Sequence, residues 1–239
     1  MTTISNRLQD ILATIQSAEA ASAYHQHVEL LAVSKAQPAS AIREAYTAGQ
    51  TIFGENYSQE ALEKQKQLTD LAIEWHFIGP IQSNKTQLIG QNFSWVHSVD
   101  RLKIAQRLND ARASIKMPLN VCIQVNVSNE DTKSGVLPDQ LETLAEAISL
   151  LSNLKLRGLM AIPAPSIDPA QQIAQFAQVR ECYDALIRRG FALDTLSIGM
   201  SNDYETAISQ GATIVRIGSA LFGARANVKN TALSTNNDT

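Results

Sequence analysis

Cysteine, aromatic residues and excess charge are all scarce in this chain of 239 residues, and each scarcity removes a class of function. The two cysteines, Cys122 and Cys182, sit in VCIQV and VRECYDAL, an apolar run and a helical segment. Two such thiols make no disulfide framework and read as reduced core or near-surface groups. Net charge is −3, and no basic run is interleaved with aromatics, so there is no footprint for nucleic acid. RLKIAQRLNDAR (101–112) reads as the wet face of a helix. No uninterrupted apolar run approaches the roughly 18 residues of a membrane span. The polar N-terminus, MTTISNRLQD, has no apolar signal core, so a cytoplasmic protein without a membrane partner is expected. His25, His27, His76 and His97 show no metal-ligand spacing with cysteines or carboxylates, and no metal is expected.

What the chain does have is rhythm. Apolar, β-branched runs recur at VELLAVS (28–34), TIFGE (51–55), EWHFIG (74–79), WVHSV (95–99), LNVCIQVNV (119–127), LKLRGLMAI (154–162), TLSIGM (195–200) and TIVRIG (213–218). Helical segments lie between them. In LPDQLETLAEAISLL, for example, Leu141, Leu144, Ala145, Ile148 and Leu151 keep one face apolar. Gly49, Gly190 and Gly211 stand where helices must stop before the next strand. Strict alternation of strand and helix argues for a parallel sheet covered by helices. Eight units without a long linker favour closure into a single α/β domain, a (β/α)8 TIM-type barrel over residues 1–226, rather than an open doubly wound sheet. An extra helix, ISNRLQDILATIQSA, precedes the first strand. Residues 227–239 are small and polar and read as a flexible tail.

In such a barrel the active site lies at the C-terminal ends of the strands, and phosphate commonly binds at the loops after strands seven and eight. Lys35 ends the apolar run LLAVSK and so falls at the C-terminal end of strand one. Closure sets strand one beside strand eight, and the lysine faces SIGMSND (197–203) and RIGSALFG (216–223). Both loops have the composition of anion cradles. Gly199 allows close backbone approach, Ser201 or Asn202 can cap the next helix, and Asn202 with Glu205 has capping-box spacing. Gly218 and Ser219 open a short helical turn. Arg216 interrupts the apolar run TIVRIG. It needs either a carboxylate such as Glu55 or a ligand acceptor, since its charge persists and costs much to bury alone. Asn56 either caps the next helix or points into the site mouth. His76, near the end of strand three, is either a satisfied core histidine or a flat ring against a planar ligand. Lys85 and Lys133 are further amines at the barrel rim, where surface lysines are common.

LLAVSK, IFGENYSQE, EWHFIGPIQSNK, VHSVDR, VNVSNEDTKSG, LRGLMAIPAP, LSIGMSNDYETAI and VRIGSALFGAR, in this order from about residue 28 to 225, resemble the YggS/PROSC family of pyridoxal phosphate homeostasis proteins. That resemblance implies the barrel of the alanine racemase N-terminal domain and pyridoxal 5′-phosphate (PLP) as cofactor. It implies that Lys35 holds PLP as a Schiff base. Ser201, Gly218 and Ser219 would grip the phosphate, helped by the Gly199 and Met200 backbone. Arg216 would face the pyridine nitrogen, and Asn56 and His76 would border the ring. Ala36 stands where threonine or valine is commoner in the family, and Ser219 replaces a frequent threonine while keeping the hydroxyl.

The family resemblance further implies PLP buffering or delivery and control of amino- and keto-acid balance, with apo PLP-dependent enzymes as candidate recipients and no catalytic residue assigned. An arginine at the ring nitrogen donates to an unprotonated nitrogen, which makes a weaker electron sink than a carboxylate partner would and disfavours aminotransferase chemistry. A low-activity amino-acid racemase is the alternative. Racemases of this barrel type add a β-rich domain that supplies a catalytic tyrosine, whereas this chain stops soon after strand eight, which also points to a monomer. A lyase using a lysine Schiff base on a sugar phosphate would also use the lysine and the cradle, but would be colourless.

Overall fold

The computed structural model describes residues 3–128 and 134–223. The strands are β1 (Glu29–Val33), β2 (Ile52–Glu55), β3 (Glu74–Phe77), β4 (Trp95–Val99), β5 (Leu119–Gln124), β6 (Leu154–Met160), β7 (Thr195–Met200) and β8 (Ile214–Ile217). They pair in parallel, each with its sequence neighbour, and β8 returns to β1 to close the barrel. The expected (β/α)8 fold is therefore observed, and each expected strand is present, several of them shorter than expected. β5, for example, ends at Gln124, although Val125 still donates to Met160 O at 2.9 Å and bridges to Val136.

The helices are α1 (Ile4–Ala21), α2 (Ala39–Thr47), α3 (Ser58–Gln67), α4 (Thr86–Asn92), α5 (Leu102–Arg112), α6 (Leu141–Ser149), α7 (Pro169–Arg188), α8 (Tyr204–Ser209) and α9 (Ser219–Phe222). The α1 helix starts where Thr3 accepts a hydrogen bond from the Asn6 N–H, and it buries Ile4, Leu8, Ile11 and Ile15 along one face. It packs against α2, α8 and α9. Since α9 has only four residues, α1 occupies the place in the outer layer that a full crossover helix after β8 would take. Gly49, Gly190 and Gly211 adopt φ of 108°, 94° and 88°, the left-handed stops expected after α2, α7 and α8.

Alternation along the strands sorts side chains between two cores. On β1, Leu30 and Ala32 join the large cluster between barrel and helices, whereas Leu31 and Val33 join an inner cluster with Ile78 and Ile214. On β8, Val215 and Ile217 face the helices. The barrel interior also holds Trp95, Cys122 and Met160 as an apolar group, with His76, His97, Ser197 and Arg216 as a buried polar group. The expected tail at 227–239 and Lys133 lie outside the described residues.

Burying four aliphatic side chains gives α1 a gross stabilisation of about 6–12 kcal/mol before chain entropy. Leu8→Ala, at a fully buried position, is expected to lower the unfolding free energy by about 2–5 kcal/mol in a urea titration. Leu12→Ala, on the exposed side of the same helix, should change it by no more than about 0.5 kcal/mol.

Candidate functional site

The C-terminal mouth is organised by β8 and its two neighbours, β1 and β7, with further wall from the segments after β2 and β6. Arg216 is in register with Leu31 on one side and with Met200 on the other. Lys35, two residues beyond β1, the turn after β7 and the turn after β8 therefore meet around one cavity of about 990 Å³. That is at the upper end of small-ligand sites, which run to roughly 1,000 Å³. Lys35, Asn56, Met200, Ser201, Arg216, Gly218 and Ser219 all line it. His76 and Lys85 do not.

Arg216 is held from inside the barrel. Its Nη1 donates to Ser197 O (2.5 Å) and Ser197 Oγ (2.9 Å), and its Nη2 to Ala161 O (2.9 Å). Burial lowers its pKa to about 10, against the opposing pull of Asp203. The carboxylate proposed for it, Glu55, is committed elsewhere. Lys64, almost fully buried on α3, donates to Glu55 Oε1 and Ser34 O, both at 2.7 Å, and lies 2.6 Å from Glu60 Oε1. Burial pushes the Glu55 carboxyl upward, opposed chiefly by Lys64.

The same cluster fixes the backbone on either side of Lys35. Ser34 donates through Oγ to Glu55 (2.7 Å), and the Ala36 N–H donates to Glu60 Oε1 (2.6 Å). Ala36 has φ of 59°, a left-handed conformation costing of order 1–2 kcal/mol outside glycine. The bond to Glu60 is one of the contacts that hold it there. Asn56 is also placed by backbone contact. A Cβ on Gly79 would come within 2.1 Å of Asn56 O, so only glycine lets the chain after β3 pass this turn. Asn56 does not cap α3, whose N-cap is Tyr57. Its Oδ1 is buried without a partner among the described residues.

Three expectations for the loop after β7 are corrected. Asp203, not Ser201 or Asn202, is the N-cap of α8, and no side-chain cap or capping box forms there. Asp203 Oδ1 instead accepts the Met200 N–H at 2.6 Å, so that donor faces a carboxylate rather than the cavity. Gly199, at φ of 90°, is absent from the cavity wall. A Cβ there would lie 2.6 Å from Ala207 Cβ, so its glycine admits α8 against the strand. After β8, Gly218 and Ser219 do open a helical turn, with Gly218 as N-cap.

His76 is corrected more substantially. It is buried inside the barrel, stacked on Trp95 with ring centroids 5.2 Å apart. Its Nδ1 is 2.9 Å from His97 Nε2 and its Nε2 is 2.8 Å from Glu74 Oε1. His76 is thus a satisfied core histidine. Burial holds both His76 and His97 below the ordinary histidine pKa, and His97 further feels His76 and Arg216. Sequence reasoning missed one wall of the cavity, the loop after β6 with Ile162, Pro163, Pro165, Ser166 and Ile167. Those residue types carry no chemical signal, and only the repeated prolines of AIPAP mark a fixed loop.

The sequence profile described as alanine racemase, N-terminal domain, matches residues 7–226. A pyridoxal phosphate homeostasis protein of Pseudomonas aeruginosa is 58% identical over 226 residues, spanning 94% of this chain and 97% of that protein. Its namesake in Vibrio cholerae is 50% identical over 230 residues, spanning 94% and 98%. The structure of PipY from Synechococcus elongatus, with PLP bound, superposes with a TM-score of 0.84 at 38% identity, covering 92% of this chain and 100% of that one.

The two interior histidines generate a pH dependence. Because burial holds both rings below the ordinary histidine pKa, the unfolded chain binds more protons near that pH, and stability falls as pH drops below the ordinary histidine value of about 6.5. Each ring adds up to about 1.4 kcal/mol per pH unit to that loss. Urea titrations between about pH 7 and pH 5 should show the decline, with a shallower slope in His97→Gln. Equal slopes in the two proteins would mean that His97 already carries a second proton when folded.

Proposed function

The chain belongs to the alanine racemase N-terminal domain family, among the pyridoxal phosphate homeostasis proteins, and from that premise we propose that it binds PLP at the barrel mouth through Lys35. One observation carries the reading: a lysine at the end of β1, two serines on the turns after β7 and β8, and a buried arginine line one cavity. The donor set suits the cofactor. Ser201, Ser219 and the turn at Gly218 can grip a dianionic phosphate, the Lys35 amine can attach to an aldehyde, and Arg216 can donate to a ring nitrogen. The orphaned Asn56 Oδ1 in the cavity wall offers a buried acceptor that a ligand hydroxyl or N–H would satisfy.

When bound, PLP supplies an electrophilic aldehyde and an electron-withdrawing ring. The protein's part is to hold, orient and release it. Lys35 Nζ attaches only as the neutral amine, and release follows when an acceptor amine takes its place. The physiological reading is buffering and delivery of PLP in the cytoplasm, with apo PLP-dependent enzymes as recipients and amino- and keto-acid balance as the consequence. Lys85 and Lys133 are candidate way-stations at the rim. The protein works as a monomer without dedicated turnover. The ionisable groups of the cavity wall support the carrier over the racemase. Racemisation needs an acid/base group on each face of the substrate. Among the described residues the cavity wall offers only Lys35, Asp203 and Arg216 as ionisable side chains, and Asp203 is engaged with the Met200 N–H.

The visible spectrum and a transfer assay test this together. Wild-type protein incubated with PLP should show the yellow Schiff-base band and restore activity to an apo PLP-dependent enzyme. Lys35→Ala should lose the band while its far-UV circular dichroism is unchanged. A band that survives in Lys35→Ala, or turnover of single L-amino acids above about one per second by chiral chromatography, would overturn the reading.

A further inference from the structure

A buried chain of polar side chains crosses the barrel beneath the cavity, and nothing in the proposed function requires it. Glu74 begins β3 at the N-terminal mouth, opposite the site, with its side chain about half exposed. Its Oε1 meets His76 Nε2 at 2.8 Å, and His76 Nδ1 meets His97 Nε2 at 2.9 Å. His97 Nδ1 then meets Ser197 Oγ at 2.9 Å, and Ser197 Oγ meets Arg216 Nη1 at 2.9 Å. Five side chains from β3, β4, β7 and β8 are therefore joined end to end. His97 and Ser197 are fully buried, and His76 and Arg216 nearly so.

Hydrogen-bond accounting fixes the direction. A guanidinium can only donate, so Ser197 Oγ accepts from Arg216. The serine proton then has one partner in the chain, His97 Nδ1, which must be unprotonated. His97 carries its proton on Nε2 and gives it to His76 Nδ1, and His76 gives its Nε2 proton to the carboxylate. Each middle group donates once and accepts once. Reversal would require Glu74 to donate, which a carboxylate does not do, and would leave the serine hydroxyl proton without an acceptor. Aligned bonds of one polarity in a dry interior strengthen one another. The chain thus runs from a buried cation to a carboxylate that has water on one side.

We propose that Glu74, His76, His97 and Ser197 are positioning residues for Arg216, forming a one-directional relay of hydrogen-bond polarity that fixes the guanidinium as a charged donor towards the ring nitrogen of the bound cofactor. The cofactor part of this rests on the PLP reading, whereas the chain itself does not. No proton is transferred. The carboxylate sets the orientation of each neutral ring, and that orientation reaches the cavity through the serine hydroxyl. The downward pKa shift that burial gives both rings agrees with this assignment.

The test has one arm without ligand and one with it. In ligand-free wild-type protein at pH 7, 15N-detected histidine spectra should show both rings as the Nε2–H tautomer. In Glu74→Gln, whose amide can donate as well as accept, the same spectra should show mixed tautomers at both rings. In the second arm, PLP and its 1-deaza analogue, which lacks the ring nitrogen, are titrated into both proteins. Glu74→Gln should weaken PLP by about three- to tenfold and leave the analogue within about twofold. A protonated Nδ1 on either wild-type ring, unmixed tautomers in Glu74→Gln, or equal effects on the two ligands would overturn the proposal. Failure of wild-type protein to bind either ligand would instead remove the PLP reading, with the spectra still deciding whether the chain has the stated direction.

Discussion

Closure of the barrel at β8 is the constraint from which the rest follows. Its backbone pairs with β1 and β7 at once, and the registers Leu31 with Arg216 and Met200 with Arg216 set the relative height of three loops. Without that closure, Lys35 and the turns at 200–203 and 218–219 would be far apart in the chain and unrelated in space. With it, an amine, two hydroxyls and a guanidinium share one cavity. The energetic support is unspecific apolar burial between strands and helices, which leaves the mouth free to carry polar groups.

Two buried polar clusters then refine the mouth from opposite sides. Lys64, Glu55 and Glu60 act on the backbone around Lys35, accepting or donating at Ser34 and Ala36 and holding Ala36 in a conformation that a side chain disfavours. The chain from Glu74 to Ser197 acts on Arg216. Both surround buried charge with hydrogen bonds, although Glu55 Oε2 is left without a partner among the described residues. They differ in how charge is balanced. Lys64 touches two carboxylates directly. Arg216 touches none among the described residues, and its nearest hydrogen-bonded carboxylate is four side chains away.

The fold was legible because largely apolar, β-branched runs alternate with segments of helical spacing, so eight units could be read one after another. Lys35 and the serines at 201 and 219 were legible for a further reason: the chain-order rule of such barrels assigns function to strand ends. Arg216 showed itself as a charge in an apolar run, but its partner did not. Glu55 looked available because Lys64, in SQEALEKQKQ, has the surroundings of an ordinary surface lysine. His76 was drawn towards the ligand by its nearness to a strand end. Yet the side chains of His76, His97, Ser197 and Arg216 meet inside the barrel. Nothing local marks that group, since it forms only when β3 and β4 come round to face β7 and β8.

Attachment of PLP at Lys35 is tested by reducing the PLP-loaded protein with borohydride and mapping the modified peptide by mass spectrometry. The stable adduct is expected on Lys35, within the peptide that contains LLAVSK. An adduct confined to Lys85, Lys133 or another lysine would contradict it, because no other amine shares the cavity wall with Arg216 and the turn at Gly218 among the described residues.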